Sequence, residues 1–267
     1  MLLKHKKCPN CGAYYDPTLE KCPECHKHNE LYLNRQINDK IAFMHPAAQA
    51  GLFLGGFSFA GMLILELLVT IILANLIKDK TALECIVISC TYILMIGGLA
   101  FIVLLTRRGH FFNKYKRQID YIYGFAYAIT LILAGSLVAN FISLFHEVTN
   151  NVNQSTAVIF AKNYPLLAFF ILGLVGPICE ELTYRVGLYS FLRRINKYLA
   201  FGITTIVFAL IHFDFTASDI VNELWSLPSY IVAGVILTLA YEHRGPACSM
   251  TAHVIYNIFA FLIMLAS

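Results

Sequence analysis

Seven apolar stretches, near residues 48–77, 82–105, 119–145, 165–192, 199–213, 224–242 and 246–266, dominate the chain. Crossing a bilayer takes about 20 apolar residues in one helix. The dry bilayer interior admits only helices or closed barrels, because every backbone N–H and C=O must be paired there. Stretches of this length predict an all-α polytopic membrane helix bundle of about seven transmembrane helices. The run at 199–213 is short and that at 48–77 is long, so the latter is expected to tilt or to break at Gly55-Gly56. Charge content agrees: Asp, Glu, Lys and Arg make up 13% of the chain, against roughly 25% in a soluble domain.

The first 46 residues differ. They hold seven of the 20 Lys and Arg and four of the eight Cys, with no apolar run. No short apolar segment with a small-residue cleavage site follows Met1, so no cleavable signal peptide is expected and the head should stay in the cytosol. Cys8-Pro-Asn-Cys11 and Cys22-Pro-Glu-Cys25 form two C-x2-C knuckles separated by ten residues, a spacing that lets four thiolates close a tetrahedral zinc site. A reducing cytosol disfavours the alternative of two disulfides. A closed four-Cys shell leaves no open coordination position, so this zinc is expected to be structural, holding a head too small for its own core. The expected division is a zinc ribbon over 1–34, a linker over 35–46 and a transmembrane domain over 47–267. His26 and His28 read as surface residues, and Cys85, Cys90, Cys179 and Cys248 as small packing residues.

With the head inside, the positive-inside rule assigns Arg107, Arg108, Lys114, Lys116, Arg117, Arg193, Arg194, Lys197 and Arg244 to the cytosolic face as well. Only Lys78, Lys80 and Lys162 fall outside, and Arg185 lies within a span. The net charge of +4 therefore reflects topology, and no nucleic acid is expected as a partner. A multi-pass protein of the plasma membrane with a cytosolic N-terminus is the expected arrangement.

Within the 165–192 span, Cys179-Glu180-Glu181-Leu182-Thr183-Tyr184-Arg185 places three ionisable residues where each costs about 2.5–3.5 kcal/mol on insertion scales, so they normally line a polar cavity and mark function. Residues four apart share a helical face, so Glu181 and Arg185 can pair while Glu180 points elsewhere, free to act as a general base. Gly176-Pro177 removes a backbone donor just upstream and should loosen the helix, leaving a carbonyl near residue 173 in need of a partner. Two later spans carry Phe208-x-x-x-His212 and His253-x-x-x-Asn257. At 1.5 Å per residue, Glu180 and His212 lie about 20 Å from the cytosolic ends of their helices, Asn257 about 16 Å and His253 about 10 Å. Alone, His212 could be interfacial, and His253 with Asn257 could be interhelical hydrogen-bond glue. Their coincidence in depth points to one mid-membrane chamber.

These three motifs resemble those of the CPBP family, the CAAX-protease and bacteriocin-processing membrane endopeptidases related to Rce1, over roughly residues 160–265; the stretch from Ser229 to Arg244 resembles the family's penultimate helix and turn. Tyr184 stands where the family often has Phe, and the cytosolic head is an addition to the family core. The resemblance implies hydrolysis of a peptide bond of a membrane-associated protein or peptide, as in CAAX-type processing or bacteriocin maturation and immunity. Glu180 and His212 would activate water, His253 and Asn257 would stabilise the oxyanion, and Glu181 and Arg185 would orient and balance the site. Both metal-dependent and glutamate-type mechanisms have been described for the family. With no H-E-x-x-H helix and Glu181 occupied by Arg185, the metal-free mechanism is favoured and no catalytic metal is expected. The expected partners are the bilayer, a protein or peptide substrate and a cytosolic protein reached through the ribbon. The alternatives are a catalytically silent membrane scaffold and a transporter; the latter predicts paired broken helices in repeated halves, and only one Gly-Pro break of that kind is present.

Overall fold

The computed structural model describes residues 6–16, 19–29, 44–105, 111, 114–147 and 149–266. Most of the expected linker, and the Arg107-Arg108 pair of the orientation argument, lie outside the described residues. The chain divides into two compact units, Met1–Phe43 and Met44–Ser267.

In the first unit, strands β1 (Lys6–Lys7) and β2 (Tyr14–Tyr15) pair antiparallel, with Lys6 opposite Tyr15. Each knuckle closes in the same way: the Gly12 N–H reaches Cys8 O at 3.0 Å, and the His26 N–H reaches Cys22 O at 2.9 Å. The residue after each second cysteine must then take a left-handed backbone, and Gly12 (φ 78°) and His26 (φ 56°) both do. Glycine takes that conformation without penalty, whereas histidine does so against its Cβ. His26 thus has a defined backbone position, and His28 lies 3.9 Å from Glu20 on the exposed surface.

The second unit is helical: α1 (Pro46–Gly55), α2 (Phe59–Leu73), α3 (Lys80–Leu105), α4 (Gln118–Ser143), α5 (Val152–Asn163), α6 (Pro165–Leu192), α7 (Lys197–Leu210), α8 (Ile220–Arg244) and α9 (Pro246–Ala266). Five of these, α3, α4, α6, α8 and α9, are long and apolar enough to cross a membrane. The other two expected spans differ. The 199–213 run yields α7, of 14 residues, and the 48–77 run is cut into α1 and α2 at residues 56–58. Lipid-facing surface is plain on α4, where Leu133, Leu137 and Phe141 are all 60% exposed or more. The chain is a multi-pass membrane protein.

At the α1–α2 break α6 satisfies the backbone. Thr183 Oγ1 accepts from Phe57 N at 2.9 Å, and the Tyr184 hydroxyl donates to Phe57 O. Gly56 is required by this docking: a Cβ there would stand 2.1 Å from Thr183 Oγ1. Tyr184, the departure from the family's usual Phe, therefore uses its hydroxyl. At the other end of the bundle Glu242 on α8 receives Arg193 (3.2 Å), Lys197 (3.0 Å) and the Tyr189 hydroxyl (2.6 Å), joining α6, α7 and α8. Gly245 (φ 88°) then turns the chain tightly into α9.

The mostly polar segment 146–164 contains α5. Asn151 and Gln154 form a reciprocal capping box at its start. Phe160 and Ala161 are fully buried against Ile171 and Phe261, so an apolar face hidden in a mostly polar stretch is what folds it onto the bundle. In the acidic segment 214–223, Glu223 is 2% exposed and accepts from Val152 N at 2.9 Å and Asp214 N at 3.2 Å. Cys85, Cys179 and Cys248 are buried free thiols, in keeping with packing roles.

Candidate active site

α6 is not a regular helix. Its turns at Phe169–Val175 and Glu181–Tyr189 are π-helical, with Pro165–Ala168, Gly176–Glu180 and Ser190–Leu192 α-helical between and around them. Gly176 N bonds Ile171 O, five residues back. In that register the next donor would serve Leu172 O, and the next residue is Pro177, which has none. The side chain of Asn257 on α9 supplies the missing partner, donating from Nδ2 to Leu172 O at 3.1 Å. The carbonyl that the Gly-Pro break was expected to free is thus held by one of the candidate site residues.

The acidic pair converges on one imidazole. Glu181 Oε1 accepts from His253 Nδ1 at 3.0 Å, and Glu180 Oε2 lies 3.6 Å from His253 Nε2. Adjacent residues point in different directions, so they reach opposite edges of the ring. Arg185 stands 3.0 Å from the same Glu181 oxygen, fully buried, with its guanidinium 4.4 Å over the Phe208 ring and NH2 3.5 Å from Gly234 O. The result is a buried chain, Arg185 to Glu181 to His253, that sets the imidazole's orientation and places the Nδ1 proton toward Glu181.

Glu180, His212, His253 and Asn257 all line one cavity of about 690 Å³, whereas Glu181 and Arg185 stand behind it. Glu180 Oε2 is buried with no hydrogen-bond partner. His212 donates from Nδ1 to Phe208 O at 2.8 Å, which leaves the lone pair on Nε2. Its ring stacks on Tyr230, centroids 4.4 Å apart and planes 19° from parallel. The Tyr230 hydroxyl in turn accepts from Asn151 and Asn153, each at 3.3 Å. The Tyr230 stack had no spacing in the sequence that could reveal it, since it depends on how distant segments meet, whereas the α5 cap was readable as Asn151-x-x-Gln154. Glu66, on the cavity wall from α2, did carry a readable signal as a lone carboxylate in an apolar run.

In the head, Cys8, Cys11, Cys22 and Cys25 bring their sulfurs within 4.8 Å of one another, and they are the one such group among the described residues. Cys8 to Cys25 is 3.6 Å and Cys11 to Cys22 is 3.7 Å. Sulfurs at about 2.3 Å from a tetrahedral zinc stand about 3.8 Å apart, so the donor set fits a metal ion. The electrostatics fit as well. Backbone N–H groups of Cys11 and Asn10 lower the Cys8 pKa, and the Lys27 N–H with the Asn10 side chain lowers Cys25 to about 6, favouring the thiolates that bind metal. Cys11, although it receives the Ala13 N–H, is pushed up to about 12 by desolvation and the three neighbouring sulfurs, a repulsion that a cation would relieve.

Residues 162–259 match the family model described as type II CAAX prenyl endopeptidase Rce1-like. The chain carries an Rce1-like domain. That domain takes in all six candidate residues from Glu180 to Asn257. Two similar relatives are the UPF0177 proteins YvdC and YxdF of Lactococcus lactis subsp. lactis (strain IL1403). The first is 28% identical over 153 residues, 57% of this chain and 55% of YvdC. The second is 28% identical over 130 residues, 48% of this chain and 68% of YxdF. The match to YvdC thus spans little more than half of that relative's length. No solved structure matches the chain.

Proposed function

We propose that the protein is an intramembrane endopeptidase that hydrolyses a peptide bond of a membrane-associated protein or peptide through water activated by Glu180 and His212. The observation that carries this reading is the convergence of Glu180 on α6, His212 just past α7, and His253 and Asn257 on α9 on one cavity. Glu180 offers an unpartnered carboxylate oxygen and His212 an unprotonated Nε2. Either can take a proton from water as its oxygen attacks the scissile carbonyl, and the same proton then passes to the leaving amine. His253, anchored through Nδ1 on Glu181, donates from Nε2 to the oxyanion when it is protonated. Asn257 uses one Nδ2 hydrogen for Leu172 O and keeps the second for the oxyanion. Glu181 and Arg185 are positioning residues. Glu181 is committed to Arg185 and His253, which favours the metal-free mechanism.

The head, residues 1–34, is a zinc ribbon on the cytosolic side, joined by a linker at 35–46 to the transmembrane domain at 47–267 in the plasma membrane. Its zinc is structural and its surface serves a cytosolic partner. The Rce1-like match makes CAAX-type processing one candidate role, and peptide maturation or immunity another. The deciding experiment is a peptidase assay on purified protein in lipid nanodiscs, comparing wild type with Glu180→Ala, His212→Ala and His253→Ala. Each variant should lose cleavage while keeping the wild-type helical circular dichroism. Full activity in Glu180→Ala would overturn the assignment, and inactivity of the wild type on every membrane peptide tried would favour a silent scaffold.

A further inference from the structure

The cavity wall holds one charge that this chemistry leaves unused. Glu66 sits on α2 among Leu63, Ile64, Leu67 and Leu68, each more than half exposed on a surface suited to lipid. It nevertheless lines the same cavity as Glu180. Tyr92, on the same wall, is within electrostatic reach of both carboxylates. A carboxylate in an apolar helix is costly to insert and is retained where it faces a partner or a polar path.

The balance of the cavity is one-sided. Its described lining carries three carboxylates, Glu66, Glu180 and Asp214, together with His212 and His253, and no Lys or Arg. Arg185 does not offset them: it lies behind the wall at 3.0 Å from Glu181. Asp214 is partly satisfied by Thr216, whose N and Oγ1 both donate to Oδ1 at 2.7 Å. Glu66 has no such local donor among the described residues, and Glu180 Oε2, buried without a hydrogen bond, has only His253 Nε2 near it at 3.6 Å. Two weakly compensated carboxylates in a cavity walled mostly by apolar side chains attract a cation and repel an anion more strongly than they would in bulk water.

Resting on the peptidase reading above, we propose that this cavity selects a peptide segment bearing a Lys or Arg beside the scissile bond, with Glu66 as the carboxylate that receives it. The same field works against substrates that bring a free C-terminal carboxylate into the cavity. An extended chain advances about 3.3–3.6 Å per residue, so a terminus three residues beyond the cut bond would lie only about 10 Å from it. The preferred cut is therefore internal to a cationic peptide rather than the release of a carboxylate-ended tripeptide.

The test uses full-length protein in nanodiscs and a matched set of fluorescent 20-residue amphipathic peptides with amidated C-termini, carrying Lys, Gln or Glu at one central position. Binding is read by anisotropy on His212→Ala protein, which should be inactive yet keeps both carboxylates, and cleavage on wild type by mass spectrometry. The Lys peptide should bind at least about tenfold tighter than the Glu peptide, as one partly desolvated charge contact allows. Glu66→Gln should erase most of that ratio, Glu66→Lys should reverse it and Glu66→Asp should retain it. A free C-terminal carboxylate close to the central position should weaken binding. Equal binding of the three peptides, preference for the Glu peptide, or an unchanged ratio in correctly folded Glu66→Gln would overturn the proposal. A charge preference without cleavage of any bound peptide would instead sink the peptidase reading and leave the cationic site standing.

Discussion

Arg185 offers the sharpest test of how this bundle tolerates charge in its core. Its side chain is fully buried, 3.0 Å from Glu181. Arg185→Met keeps most of the volume and removes the cation, leaving Glu181 with His253 Nδ1 and the Ser249 side chain as donors and no fixed positive charge. Breaking a buried pair by removing one partner costs about 3–5 kcal/mol, because the remaining charge has no compensation. The contact with the Phe208 face at 4.4 Å adds about 0.5–2 kcal/mol when desolvated. The expected loss is therefore about 3.5–7 kcal/mol, measured by reversible denaturation in mixed micelles. The double variant Glu181→Leu, Arg185→Met removes both charges and should recover most of this. A residual of about 1–3 kcal/mol should remain for the buried His253 Nδ1 left without its acceptor. Stability should thus return while catalysis does not, because His253 then loses the acceptor that fixes its Nδ1 proton. A loss below 1 kcal/mol for the single variant, or a double variant no more stable than the single, would refute the argument that Arg185 exists to balance Glu181.

Asn257→Leu should cost about 1–3 kcal/mol by orphaning Leu172 O. Combining it with Pro177→Ala, which restores a backbone N–H at the break, should return part of that loss; no rescue in micelle denaturation would contradict the register argument. Gly56→Ala should destabilise the α1–α2 docking by about 1–3 kcal/mol through overpacking against Thr183, and trimming that side chain with Thr183→Ser should not relieve it, since the clash is with Oγ1. In the head, chelation should expose the four thiols to alkylation and abolish amide protection at Cys8, whose N–H is bonded to Ala13 O. His26→Gly should slow that metal loss by relieving a left-handed backbone worth about 1 kcal/mol; faster loss would show that the imidazole itself matters.

Much of this was legible in the chain because it follows from local rules. Apolar length fixes spanning helices, C-x2-C spacing gathers thiolates, and residues four apart share a face, so the Glu181–Arg185 pair and the four-Cys cluster could be anticipated residue by residue. The break near Gly55-Gly56 was legible for the same reason. Tertiary structure alone decided what those features meet. That Glu180 and Glu181 grip opposite edges of one imidazole, that Asn257 repairs the carbonyl left by Pro177, and that Thr183 and Tyr184 satisfy the broken first helix all depend on contacts between distant helices. In the polar stretch before α6 the Asn151-x-x-Gln154 cap is local, but its few apolar residues gain value only against Ile171 and Phe261. Local periodicity determines which helices form, but the requirement that every buried polar group find a partner is met through the whole bundle, and that is where the site was assembled.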